Sequence, residues 1–136
     1  MAKQSETKDP LAVLVSSDVN STDRKRLAEL VKPFLIIDQK SKELAALPAF
    51  ESLGDNAVKV EIILAGAKAR ALLFNVPDGM TQGEIIGLSV LADGSVKSTL
   101  KRLADGHKIK KDKEGRYLIP GHRVSELVKK IADNNS

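Results

Sequence analysis

Residues 80–119 read "MTQGEIIGLSVLADGSVKSTLKRLADGHKIKKDKEGRYLI", and three local signals succeed one another within them. "TQGE" (81–84) has the form of a capping box: the Thr81 hydroxyl can accept from the Glu84 amide while the Glu84 side chain reaches back. A short helix from Gln82 to Ser89 is expected next, with Ile85 and Ile86 turned inward. "VLADG" breaks it, and Asp93 or Ser95 is placed to cap a second helix. There Val96, Leu100 and Leu103 recur at i, i+4 and i+7, a single buried stripe, and Gly106 falls where a left-handed terminal residue belongs. "HKIKKDKEGRYLIP" then predicts a hairpin, with Ile109 in its first strand, "DKEG" as the turn, and Tyr117 and Ile119 on one face of its second strand.

Upstream, "NAVKVEIILAGAKARALLF" supports two periods at once. Val58, Val60, Ile62 and Leu64 alternate as in a strand, while Ile62, Ala65, Ala69, Leu72 and Leu73 keep helical spacing. Its wealth of helix formers decides for a helix over about 57–74, in which Gly66 lets a neighbouring helix come close. "NSTDRKRLAELVKPF" predicts a helix across 20–34, capped by Asn20, Ser21 or Thr22 and stopped at Pro33, with Leu27, Leu30, Val31 and Phe34 on its buried face. "FLIIDQKSKELAAL" reads as two short strands around a polar turn, and Pro48 and "SLGDN" punctuate the route to the 57–74 helix. The apolar run "LAVLV" (11–15) has no assigned state. Beyond Pro120 and Gly121, "HRVSELVKKIA" is amphipathic through Val124, Leu127, Val128 and Ile131.

These elements predict a mainly α chain with small β-hairpins, of class α+β. Its expected parts are a disordered leader at 1–9, a helix and hairpin extension at 10–56, a central domain at 57–120 and a C-terminal helix and tail at 121–136.

Charge is distributed unevenly. Residues 1–80 carry 11 basic and 11 acidic side chains, whereas 81–136 carry 11 and 7, which is the whole net charge of +4. Between Lys97 and Arg116 there are eight basic residues against Asp105, Asp112 and Glu114. The basic character therefore belongs to one part of the chain.

Helix, capped short helix, turn, helix and charged hairpin, in that order over about 57–120, resemble the winged helix-turn-helix superfamily of DNA-binding domains. The likeness is sharpest in "GSV..TL.RL...G.I" and the hairpin after it; the turn "VLADG" departs from that family's common short turn of small residues. The resemblance implies a double-stranded DNA-binding protein, a transcriptional regulator, with the 95–104 helix in the major groove and the hairpin as a wing on the backbone. It also implies homodimers on two-fold sites.

Side-chain chemistry agrees. With Val96, Leu100 and Leu103 inward, Lys97, Ser98, Lys101 and Arg102 face outward and Thr99 lies at the boundary. Hydroxyls and Lys can reach base edges or phosphates, and Arg can be bidentate to guanine. Ser95 and the free amides of the helix start suit a phosphate. Thr81 and Gln82 open the preceding helix, and Lys110, Lys111, Lys113 and Arg116 ring the wing; such contacts position rather than specify. The stripe of Val124, Leu127, Val128 and Ile131 either completes the monomer's own core or pairs with its twin in a homodimer, and the 20–34 helix faces the same choice.

Lysines on a hairpin also serve as solvated surface and protect edge strands from pairing. The alternative is a winged helix that serves as an adaptor for another protein without binding DNA. RNA binding fits less well, because only Phe34, Phe50, Phe74 and Tyr117 are aromatic. Catalysis is not expected. His107 and His122 have no nucleophile pattern nearby, carboxylates lack metal-ligand spacing, and "LAGAKAR" is no phosphate loop, so no cofactor or metal is predicted. The chain of 136 residues has no cysteine, no run of 18 apolar residues and no apolar stretch in "MAKQSETKDP", from which a cytoplasmic location is expected.

Overall fold

The computed structural model describes residues 24–88 and 93–134. The fold is α+β, mainly helical with two small antiparallel hairpins: α1 (Arg24–Val31), β1 (Leu35–Ile37), β2 (Leu44–Ala46), α2 (Pro48–Glu51), α3 (Asn56–Phe74), α4 (Gln82–Gly87), α5 (Asp93–Asp105), β3 (Lys110–Lys111), β4 (Tyr117–Leu118) and α6 (Gly121–Asn134). The apolar run at 11–15, the leader and the proposed caps Asn20, Ser21 and Thr22 lie outside the described residues.

Helix α3 is the axis of the molecule. Asp55 caps it by accepting from the Ala57 amide at 2.8 Å, and Asn75 ends it in a left-handed conformation. Every residue from Val60 to Lys68 is buried, because α1, the first hairpin, α5 and β4 all pack against this helix. A helix covered on all sides is apolar all round, so strand-like alternation and helical spacing both appear in its sequence.

The first hairpin pairs Leu35 with Ala46 and Ile37 with Leu44. Its turn is held by the Asp38 carboxylate, which accepts from the Lys40 and Ser41 amides at 2.8 and 3.0 Å. Those bonds hold the Asp38 carboxyl below its ordinary range. Gly66 admits this hairpin rather than a helix: a Cβ there would stand 2.8 Å from Leu35 Cδ1 and 3.2 Å from Leu44 Cδ2. One turn of helix, α2, comes next, with Pro48 at its start and Phe50 fully buried. No sequence signal marked it as helix.

Leu27, Leu30, Val31 and Phe34 are all buried, as their spacing predicts, and α1 packs on both α3 and α6. From α6, Val124 and Leu127 enter the same core, and Val128 and Ile131 pack half-buried against it. Of the two roles open to these stripes, the deepest residues of both take the first and fill the chain's own interior.

Two ion pairs tie α3 to distant segments. Glu61, 1% exposed, accepts from Arg123 of α6 at 2.6 Å through Nε and 3.2 Å through Nη2. Hydrogen bonding to Glu61 raises the guanidinium's pKa, against the opposing effect of burial. Lys68 meets Asp78 at 2.6 Å in the segment leading to α4. Among the described residues no helix is long and apolar enough to cross a membrane.

Candidate nucleic-acid interface

The capping box of α4 forms as predicted. Thr81 Oγ1 accepts from the Glu84 amide at 3.2 Å and Glu84 Oε1 accepts from the Thr81 amide at 2.9 Å. Loss of such a cap costs about 0.5–2 kcal/mol. Ile85 is fully buried while Ile86 is half-buried. Residues 89–92 lie outside the described residues, but Asp93 and Gly94 already belong to α5. The helix therefore starts earlier than predicted. Ser95 sits within its first turn, and neither it nor Asp93 occupies the residue before the helix.

Helix α5 is held by Val96, Leu100 and Leu103, all buried, against α3 and α4. Lys97, Ser98, Lys101 and Arg102 are exposed on its other side. Lys101 pairs with Asp105 at 3.2 Å, an exposed contact of the kind that contributes about 0–1 kcal/mol and yields to competing charges. Ser98 Oγ donates to the Ser95 carbonyl at 3.3 Å. Thr99 is a correction: at 3% exposure it belongs to the core, because its position lies between Val96 and Leu103 on the buried side of the helix. It cannot reach a ligand in this conformation.

The end of α5 also differs. The left-handed residue is His107 (φ 61°) rather than Gly106, and the Lys108 amide closes back on the Leu103 carbonyl at 3.0 Å. This termination leaves His107 and Lys108 exposed between α5 and the second hairpin. Lys108 belongs to the charge cluster in sequence, yet its exposure at this junction was not singled out there.

The hairpin itself pairs Lys110 with Leu118 and Lys111 with Tyr117. Ile109 is buried just before β3, and Ile119 is buried just after β4. Asp112 Oδ1 fixes the turn by accepting from the Glu114 and Arg116 amides, both at 2.9 Å. Lys110, Lys111 and Lys113 are exposed, with the Lys111 ammonium 5.5 Å from the Tyr117 ring centre.

Arg116 behaves differently from its lysine neighbours. Its guanidinium donates to the Gly79 carbonyl at 3.3 Å and to Glu84 Oε1 at 3.2 Å, with only 27% of the side chain exposed. It ties the hairpin base to the capping box of α4. Tyr117 reinforces that tie through an antiparallel bridge to Met80, whose amide donates to the Tyr117 carbonyl at 3.0 Å and whose carbonyl accepts from the Tyr117 amide at 2.8 Å. Gly79, with φ of 83°, lets the backbones meet: a Cβ there would stand 2.5 Å from the Tyr117 oxygen.

The structure thus brings Thr81, Glu84, Arg116 and the hairpin base together. It exposes Lys97, Ser98, Lys101, Arg102, Lys110, Lys111 and Lys113, and it withdraws Thr99. Gln82 and Ser95 are half-buried. Among the described residues no three His, Cys, Asp or Glu side chains are grouped to hold a metal ion. Compared with known protein families, with curated proteins and with solved structures, the chain finds no match.

Proposed function

We propose that this chain binds double-stranded DNA as a winged helix-turn-helix protein, a transcriptional regulator, with α5 in the major groove and the β3–β4 hairpin along the backbone. The observation that carries the reading is the partition of α5. Val96, Leu100 and Leu103 anchor it to the core while Lys97, Ser98, Lys101 and Arg102 stay exposed, immediately before a hairpin bearing Lys110, Lys111 and Lys113. The element order supports it too: α3, a bridge at Met80, α4, α5, then a hairpin whose second strand pairs back to Met80. In this reading the wing lysines Lys110, Lys111 and Lys113 neutralise phosphates, and Lys97, Ser98 and Arg102 read bases. Thr99 and Arg116 act from within, by packing α5 and by holding the wing to α4.

The adaptor reading has one observation on its side, an exposed apolar patch at the end of α3.

The test is a fluorescence-anisotropy titration of a random-sequence duplex at several salt concentrations. Each neutralised phosphate adds about 0.9 to the slope of log affinity against log salt, so replacing Lys110, Lys111 and Lys113 by Gln should lower the slope by up to about 2.7. Lys97, Ser98 or Arg102 variants should instead change preference between sites. A triple variant that binds as tightly as the parent at moderate salt would falsify the docking, and absence of binding at low salt refutes the function.

A further inference from the structure

Arg70, near the end of α3, is half-buried, yet no carboxylate among the described residues pairs with it. It makes one hydrogen bond there, from Nη1 to the Lys42 carbonyl at a long 3.4 Å, and its Nε is buried without a partner. An unmade buried donor carries a desolvation cost that a matching acceptor removes. Arg123, also half-buried, shows what the same edge does when a partner is present: its Nε and Nη2 lie side by side on the Glu61 carboxylate, at 2.6 and 3.2 Å. Arg70 instead lines two hollows of about 240 Å³ each, between the first hairpin, α3 and α4, and Glu43 and Glu84 line both as well. Leu44, Met80 and Leu88 wall the first hollow, whereas the second passes Val76 and Pro77 to reach Arg116.

We propose that this cleft binds a small organic monocarboxylate, its charge on Arg70 and its apolar body against Leu44, Met80 and Leu88. Three observations select this class. First, the unpaired Nε–Nη2 edge is a planar fork that matches a carboxylate through two parallel N–H bonds. A turn about the terminal torsions of Arg70 brings that edge into the hollow, and the orphaned Nε gains an acceptor by the move. Second, charge limits the ligand to a single negative unit. Lys42, Arg70 and Arg116 line the second hollow against Glu43 and Glu84, three cations to two carboxylates. Arg116 is already held by Glu84 and the Gly79 carbonyl, and the Lys42 ammonium by the Gln39 carbonyl and the Phe74 ring, so Arg70 is the cation left to be matched. A dianion would add a second charge opposite those two carboxylates. Third, the first hollow has aliphatic walls and lies below the about 300 Å³ at which drug-sized sites begin, so it takes a body of a few carbons. A ligand seated on Arg70 lies beside the Glu84–Arg116 contact that ties the wing to α4.

Isovalerate is the probe, with isovaleramide as its uncharged counterpart and inorganic phosphate as the competing anion. Each is titrated into the isotope-labelled full chain at neutral pH and constant ionic strength, following the Arg70 Nε–H resonance and the amides of Leu44, Met80 and Leu88. Isovalerate should shift all four saturably, isovaleramide should leave them in place, and phosphate should bind more weakly. Arg70→Gln gives up only one long hydrogen bond, so its amide spectrum should stay folded while the saturable shifts are lost. Glu43→Gln removes a carboxylate from the cleft and should tighten isovalerate binding. Shifts with isovalerate that never saturate, an equal response to isovaleramide, phosphate binding as tight as isovalerate, or saturable binding retained in Arg70→Gln each overturn the proposal. Weaker binding in Glu43→Gln overturns it too, because Glu43 would then belong to the ligand's contacts. None of these measurements involves DNA, so they stand or fall separately from the proposed function.

Discussion

Replacing Arg123 by Met should be among the most damaging single changes in this protein, although Arg123 lies near the surface. Methionine keeps an unbranched apolar stem but removes both hydrogen bonds to Glu61. Breaking a buried ion pair on one side costs about 3–5 kcal/mol, because the remaining charge is left without compensation. Arg123 also meets the exposed Glu126 at 3.0 Å, so its charge is partly solvated and the lower end of that range applies, about 3 kcal/mol. With a urea m-value of about 2 kcal/mol/M, the unfolding midpoint should fall by about 1.5 M at neutral pH. The double variant Glu61→Leu/Arg123→Met removes both charges and should return to within about 1 kcal/mol of the parent. A single variant that loses less than about 1 kcal/mol, or a double variant as unstable as the single, refutes the reasoning.

Two other outcomes are expected from the geometry. The Asp38 carboxyl, held low by the Lys40 and Ser41 amides, contributes stability above the ordinary carboxylate pKa and loses it as pH falls through its lowered value; a carboxyl NMR titration should place its midpoint below that of an unstructured Asp. Gly79→Ala places a Cβ against the Tyr117 oxygen at a left-handed φ, and should cost at least about 2 kcal/mol in chemical denaturation while loosening the Met80–Tyr117 bridge amides in hydrogen exchange.

Local patterns in the sequence carried the peripheral elements. The stripes of α1, α5 and α6 were legible because each of these helices has one wet and one dry side, and "TQGE" was legible because a capping box closes within four residues. Helix α3 was harder, since burial on every side over residues 60–68 erases the contrast on which periodicity depends. Gly66 shows the same limit. Its lack of a side chain signals a close approach, but only the fold reveals that Leu35 and Leu44 make it. Glu61 looked like any polar residue in an apolar run, because its partner lies 62 positions away. At the candidate interface, the charge of Arg116 was visible and its bond to Glu84 was not. Thr99 was misplaced by a quarter-turn judgement that no local signal could refine.

The Glu61–Arg123 pair also bears on how the protein is made. At about 5–20 residues per second, the ribosome adds the 62 residues between them over about 3–12 seconds. For that interval α3 exists without α6, its Glu61 carboxylate unmatched, and α1 lacks the helix that packs on it. Contacts this distant in sequence also form slowly once both halves exist. The nascent chain therefore passes through a stage in which its central helix is finished but its last wall is missing, and α6 is the piece whose arrival commits the molecule to its native state.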